Sequence, residues 1–325
     1  MQFDQNIKKV CLVGYYGFGN IGDDIILISA VNKYANFLGL DTRILVNGND
    51  YVEKMLKIFG LDNKVILYDR WNLSQISEAV YYSDATIFAG GGIFQDKTSL
   101  KSFIYYFYIA LISKLMKKKI IIERNSIGDF NTKIAKFLFK YVLSWAESVS
   151  VRDSLSLDFL QKNYPTLSSK FKLEEDFALS EFAQIIRDFS EQIVKDSNQF
   201  DILFVLRKFD EIQKLSDLIT KIRDQYKVKI IVFQENDLYD LKEYFQDAEY
   251  LGEGKVLEII KLIESSKLVI SNRLHGIVLS NLLGVKCIGI NIDSKIRGFC
   301  LDKNIECLDC KDLDNLALLI KKVLS

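Results

Sequence analysis

The sequence predicts two doubly wound, Rossmann-like α/β domains facing a cleft. Three observations lead there. Short β-branched runs alternate with amphipathic stretches along almost the whole chain, the pattern of βα units feeding a parallel sheet. The 325 residues exceed the roughly 100–200 of one ordinary domain. The alternation lapses once, between residues 172 and 199, and then resumes. The expected organisation is a first domain over 1–175, a connecting segment over 176–200 with an amphipathic helix at 180–197, and a second domain over 201–325.

In the first domain, strands are expected at 10–13, 43–46, 65–68, 85–89, 120–123 and 148–151. Helices are expected at 25–38, 99–116, 133–144 and 154–163. The run at 10–13 is closed by Gly14 and that at 85–89 by Gly90, Gly91 and Gly92; the run at 148–151 leads into Arg152. In the second domain, strands are expected at 202–206, 229–233, 268–270 and 287–290, with helices at 211–226, 256–265, 274–283 and 313–324. The first of these strands leads into Arg207 and the third into Ser271-Asn272-Arg273. In open sheets of this kind a ligand sits outside the carboxyl ends of the strands, so these closing residues are the ones to weigh for function.

Composition narrows the classes. Apolar residues make up 49% and charged residues 26%, and 43 basic side chains balance 43 acidic ones. That balance excludes a whole-chain nucleic-acid footprint and an acidic disordered character. A single proline, Pro165, excludes Pro-rich linkers and collagenous repeats. Five scattered cysteines, Cys11, Cys287, Cys300, Cys307 and Cys310, do not form a disulfide scaffold, and no secretory leader pattern opens the chain. The expectation is a protein of the reducing cytoplasm. The longest apolar stretch, 103–116, contains Lys114 and falls short of the roughly 20 residues of a spanning helix.

The first motif is GYYGFGNIGDD at 14–24. Gly17, Gly19 and Gly22 fit a dinucleotide fingerprint, with Asp41 near the distance of a ribose-binding acid. Against that reading, Asp23 and Asp24 fall in the first helical turn, where two carboxylates repel a pyrophosphate. Asn20 and Asp23 suit sugar hydroxyls better; the alternative is a loop that turns the chain, with acids capping the helix. The second motif is GGGIFQDKTS at 90–99. Three glycines suggest close approach to the backbone, so Gly91, Gly92, Gln95 and Asp96 are candidate contacts for a hydroxyl-bearing ligand, or else a loop packed tightly on its neighbour. The third is SNRLHG at 271–276, holding the one histidine, His275, beside Arg273 at a helix start. Asn272, Arg273 and Leu274 are candidate ligand contacts at that strand end, and Lys295 follows the next strand. The fourth is VRDS at 151–154: Asp153 or Ser154 explains itself as a cap, Arg152 does not, and Arg207 holds a comparable place in the second domain. Cys307 and Cys310 form a CxxC pair whose spacing to Cys300 and Cys287 is irregular for zinc, and no acidic cluster demands a metal.

Taken together these motifs resemble the polysaccharide pyruvyl transferases of bacterial cell-envelope synthesis. The resemblance rests on GYYGFGNIGDD, GGGIFQDKTS, VRDSLS at 151–156 and SNRLHGIVLS with NIDSK at 271–295, in the family's order. It implies a fold similar to the B-type two-domain glycosyltransferases, phosphoenolpyruvate as co-substrate, no bound cofactor and a sugar residue as acceptor. It also implies that Arg152, His275 and Lys295 are the catalytic set, with Arg273 beside the histidine. Where relatives carry a Gly-Ile-Gly-Pro segment this chain has Ser126-Ile127-Gly128-Asp129, and Ser294 stands where a proline is usual.

The residue types agree on their own chemical grounds. A ligand with a carboxylate and a phosphate calls for cations and a helix N-terminus, and ketal formation calls for a group that moves protons near neutral pH. Two other readings stay open: a B-type glycosyltransferase using a nucleotide sugar, and a non-catalytic sugar-binding component of an envelope-synthesis complex. If the acceptor is lipid-linked, the aromatic run at 103–108 and Lys117, Lys118 and Lys119 offer a peripheral contact with the inner leaflet of the plasma membrane. The competing reading is a helix buried against the sheet.

Overall fold

The computed structural model describes residues 4–96, 99–128, 130–189, 200–252 and 254–325. The chain divides into two compact units, Met1–Phe18 with Asp23–Ile185, and Gly19–Gly22 with Ile186–Ser325. In the first, β1 (Lys9–Val13), β2 (Asp41–Val46), β3 (Val65–Asp69), β4 (Ala85–Ala89), β5 (Lys119–Asn125), β6 (Ser148–Val151) and β7 (Phe171–Leu173) form a parallel sheet in the order β3-β2-β1-β4-β5-β6-β7. The connecting helices are α1 (Ile21–Val31), α2 (Asn49–Ile58), α3 (Leu73–Tyr81), α4 (Leu100–Leu115), α5 (Lys133–Trp145) and α6 (Ser154–Asn163), and α7 (Glu181–Phe189) follows β7.

The second sheet holds β8 (Phe200–Val205), β9 (Val228–Val232), β10 (Glu249–Tyr250), β11 (Ser266–Ser271), β12 (Lys286–Asn291) and β13 (Glu306–Asp309), in the order β10-β9-β8-β11-β12-β13. Its helices are α8 (Ile212–Ile222), α9 (Glu235–Leu241), α10 (Val256–Glu264), α11 (Leu274–Leu282), α12 (Ser294–Asp302) and α13 (Leu316–Leu324). Both units are thus parallel α/β sheets, as the alternating pattern predicts.

Central strands are mainly apolar because helices cover both faces; every residue of β4 is buried. Beneath α4 and α5 the core is aromatic, with Phe94 centred 5.0 Å from Phe88 and 5.5 Å from Phe139. The first helix begins at Ile21, ahead of the expected 25, because the glycine loop ends sooner. Asp23 and Asp24 then lie in its first turn, where carboxylates favour the positive end of the helix dipole. Its tail, Asn32–Phe37, winds as a π-helical turn. Within the expected helix at 180–197, α7 occupies Glu181–Phe189, and 190–199 lie outside the described residues. The edge strands β7, β10 and β13 are short and half exposed, so no apolar run marks them in the sequence.

The aromatic run at 103–108 is turned mainly inward. Phe103 and Tyr106 are fully buried and Tyr105, Phe107 and Tyr108 pack on the same core, leaving Ile104 exposed. This helix covers the sheet, and the run is not a surface for a bilayer. Among the described residues no helix is long and apolar enough to cross a membrane.

Asp96 likewise has a structural task in place of the expected acceptor contact. Its carboxylate accepts hydrogen bonds from Asn131 N at 2.7 Å, Thr132 N at 2.8 Å and Thr132 Oγ1 at 2.7 Å, and Thr132 in turn caps α5 through Ala135 N. Burial pushes the Asp96 carboxyl up, but the hydrogen bonds from Thr132 and Asn131 outweigh it and hold the group below its ordinary value. A lowered carboxylate stabilises the fold above its unfolded value of about 4, and that contribution disappears as pH falls through the folded value. Urea unfolding at a series of pH values should therefore show Asp96→Asn less stable than the parent near neutrality, with a shallower loss on acidification.

Candidate active site

In the second unit the strand order reverses between β8 and β11, the position where doubly wound sheets open a crevice beyond the strand ends. The two strands end in register, Ser271 beside Val205. Beyond them the buried side chain of Asn272 joins the two loops: its Oδ1 accepts the Arg207 N–H at 2.8 Å and its Nδ2 donates to the Arg207 carbonyl at 2.8 Å. Ser271 Oγ accepts the Arg273 N–H at 2.9 Å, and a Cβ on Gly276 would collide with that hydroxyl. Arg273 stands at the N-cap of α11, which has no side-chain cap, with Leu274 and His275 as its first two helical residues.

Two arginines therefore face one strand-end region, each steadied by an acid. The Arg273 guanidinium donates to Gln234 Oε1 at 2.9 Å and pairs with Asp237; Arg207 pairs with Asp293 at 3.1 Å. Burial and the neighbouring Arg273 both push the Arg207 guanidinium below its ordinary value. Asp237 is held high by burial despite Arg273. Asp293 is also pushed up by burial, but Lys295, Arg207 and the amides of Lys295 and Ile296 bring it down. Its Oδ1 caps α12 by accepting Lys295 N at 2.9 Å. Among the described residues, the Nε atoms of Arg207 and Arg273 are buried and make no hydrogen bond.

His275 is half-buried on α11, and Gly22, which packs with this unit, lies against it; a Cβ at Gly22 would collide with His275 Nδ1. The second unit thus gathers Arg207, Asn272, Arg273, Leu274, His275 and Lys295. Gln234, Asp237 and Asp293 were not singled out from the sequence. Gln234 and Asp293 each follow a strand by two residues, the rule that would have found them.

In the first unit the reversal lies between β1 and β4, flanked by the loops at 14–20 and 90–96. Gly17, with φ +81°, sits where a side chain would strike the Asn47 carbonyl, and Gly90, with φ +66°, where one would strike Ile26. Tight packing thus accounts for Gly90. Gly91 accepts Ser126 N at 2.8 Å through its carbonyl, and Asp23 Oδ1 lies 3.5 Å from where its Cβ would be. Gly92, Gln95 and Asp23 are half-buried; so is Asn20, in the segment that packs with the second unit.

Arg152 is not a spare cation. It is buried, paired with Asp176 at 2.7 Å, and its Nε donates to Ser126 Oγ at 2.8 Å. Ser126 also donates to Asp153 at 2.9 Å, and Asp153 caps α6 through Ser156 N at 2.8 Å. All five cysteines are free, and among the described residues no group of three His, Cys, Asp or Glu side chains is placed to hold a metal.

The model of the family described as polysaccharide pyruvyl transferase matches residues 20–294. The chain belongs to that family. Solved structures show the same fold in sugar-nucleotide enzymes. The Staphylococcus aureus MnaA–UDP structure is 10% identical, with a TM-score of 0.67 over 98% of this chain and 89% of the other. The UDP-N-acetylglucosamine 2-epimerase of Rickettsia bellii is 12% identical, with a TM-score of 0.65 over 98% and 88%. That of Methanocaldococcus jannaschii, in complex with UDP-GlcNAc and UDP, is also 12% identical, with a TM-score of 0.62 over 98% and 93%. At that identity the likeness establishes the GT-B-like fold of this family member, and no more. No curated protein matches the chain.

Removing one partner of a buried ion pair strands the other, at a cost of about 3–5 kcal/mol. Arg152→Ala should lose stability of that order in urea unfolding, and Arg152→Ala with Asp176→Ala should recover part of it.

Proposed function

We propose that the chain transfers the pyruvyl group of phosphoenolpyruvate to a saccharide acceptor as a ketal, releasing phosphate, in the synthesis of a cell-surface polysaccharide. The observation that carries this reading is the pair of arginines, Arg207 and Arg273, at adjoining strand ends, with buried Nε donors that have no partner among the described residues, beside the start of α11, which has no side-chain cap. Guanidinium groups and helix amides are matched to carboxylate and phosphate oxygens, and an anion between like charges relieves their repulsion. Lys295 and Asn272 complete the donor set. Arg152, already committed to Asp176, belongs to this proposal as an organiser of the first unit's strand ends.

The reaction protonates C3 of the enol, adds the first sugar hydroxyl oxygen at C2, breaks the C2–O bond to phosphate, and adds the second hydroxyl at C2. The two hydroxyls lose two protons; one balances that gained at C3 and one leaves with phosphate. His275 serves as the acid or base, and the cations stabilise the departing phosphate. Asn20, Asp23, Gly91, Gly92 and Gln95 are the proposed acceptor contacts, and Asp96 holds the start of α5 through Thr132.

A nucleotide-sugar transferase is the second reading. It is favoured by the bound UDP of the structural neighbours, since paired arginines also suit a diphosphate. A non-catalytic sugar-binding component is the third, and would release no phosphate. Phosphate release from phosphoenolpyruvate should be measured against a panel of sugar acceptors, with the product checked for an added pyruvyl mass. The expected result is turnover that His275→Ala reduces by about 100-fold or more with the fold intact. Stabilisation by UDP or GDP, with none by phosphoenolpyruvate, would establish the second reading instead.

A lipid-linked acceptor would bring the chain to a membrane, and we place that contact on α5 in preference to α4. Ile134, Phe137 and Tyr141 are exposed along one stripe of α5. Lys133, Lys136 and Lys140 flank a hollow of about 360 Å³ beside it. Binding to vesicles containing phosphatidylglycerol should exceed binding to neutral vesicles and weaken about fivefold for each lysine replaced by Gln; equal binding to both vesicle types would exclude the contact.

A further inference from the structure

Arg70, immediately beyond β3, is 3% exposed and stands among aromatic rings contributed by segments far apart in the sequence. Its Nη1 donates to the Gly14 carbonyl at 3.0 Å, while its Nε is buried with no hydrogen bond among the described residues. The guanidinium carbon lies 4.5 Å from the Tyr105 ring centre, 4.9 Å from Phe18 and 5.3 Å from Trp71. Tyr15 and Phe18 are stacked with centroids 4.1 Å apart, and Trp71 meets Phe18 edge-on at 6.3 Å.

Trp71 is the outlying member, and it is held at two points. Its indole Nε1 donates to Asn47 Oδ1 at 2.8 Å, and its backbone N–H donates to Asp69 Oδ1 at 2.9 Å. Asn47 is itself fixed, donating to the Gly17 carbonyl at 3.0 Å. Yet Trp71 is 62% exposed. A large apolar ring kept wet forgoes the stabilisation that burial would bring, and a ring hydrogen-bonded in place cannot fold back onto the surface to recover it. Rigid amphipathic rings of this kind give large contact area at little entropic cost. The site lies at the carboxyl ends of β1, β2 and β3, the edge of the first sheet where ligands of doubly wound folds bind.

We propose that Trp71, backed by Phe18 and Arg70, is a stacking platform for a pyranose ring of the acceptor. The apolar C–H face of the ring lies on the indole, and the Asn47 side-chain amide and the Asp69 carboxylate at its rim, each with hydrogen-bonding capacity beyond the bond that holds Trp71, take sugar hydroxyls. This rests on the reading of the acceptor as a saccharide, and it adds the residue that selects its ring.

The test uses the full chain with Trp145→Phe, which leaves Trp71 as the single tryptophan emitter. Methyl glucopyranoside, galactopyranoside, mannopyranoside and their N-acetylamino counterparts are titrated without donor, with uridine in parallel. A saturable change in Trp71 emission with at least one pyranoside supports the platform; no change with any of them, or a change with uridine alone, overturns it. In turnover assays Trp71→Ala should raise the acceptor KM roughly two- to tenfold, with Trp71→Phe closer to the parent and the phosphoenolpyruvate KM unmoved. An unchanged acceptor KM would overturn the proposal. Because the titration needs no donor, it decides the platform even if phosphoenolpyruvate proves not to be the substrate.

Discussion

Two hydrogen bonds through one buried amide hold the charged end of the second unit together. Asn272 grips both the N–H and the carbonyl of Arg207, so the loop after β8 cannot drift from the loop after β11. With those loops in register, two guanidinium groups are kept close despite their mutual repulsion, and Asp237 and Asp293 supply the compensation. A buried amide left unsatisfied costs about 1–3 kcal/mol, so the same contact that positions the arginines also penalises any rearrangement that separates them. The two loops are held in one arrangement by the protein's own hydrogen bonds.

The first unit uses its strand ends differently. Charged groups there are largely turned on one another: Arg152 on Asp176, Asp153 on Ser126 and the start of α6, Asp96 on the start of α5. Beside them lie glycine backbone, the half-buried Asp23 and Gln95, and the rings around Arg70. The strand ends of the second unit are thus cationic and those of the first polar and aromatic.

Much of this was legible in the sequence because parallel sheets write themselves plainly. Strands β4 and β6 and helix α6 fall at the expected residues, since apolar runs closed by glycine or a capping acid admit few other readings. The cluster at 271–276 was legible for the same reason: a strand end, a helix start and the one histidine coincide. What was hidden depends on partners distant along the chain. No spacing rule connects Arg152 with Asp176, so a salt-bridged organiser looks identical to a ligand-binding cation. Nor does any local pattern bring Phe18, Arg70 and Tyr105 into one cluster. Gly90 illustrates the same blindness, since the side chain of Ile26 explains it as fully as a substrate would.

The short segment Gly19–Gly22 packs with the second unit, while the chain on either side of it belongs to the first. The polypeptide therefore passes between the units more than once, and no single cut yields two whole pieces. A fragment beginning after Ile185 would lack the four residues whose last member lies against His275, leaving a hole at the imidazole where glycine backbone belongs. Dissection of this protein by truncation would accordingly misreport the histidine's surroundings, and a split version would have to carry that strap on a circularly permuted or grafted terminus.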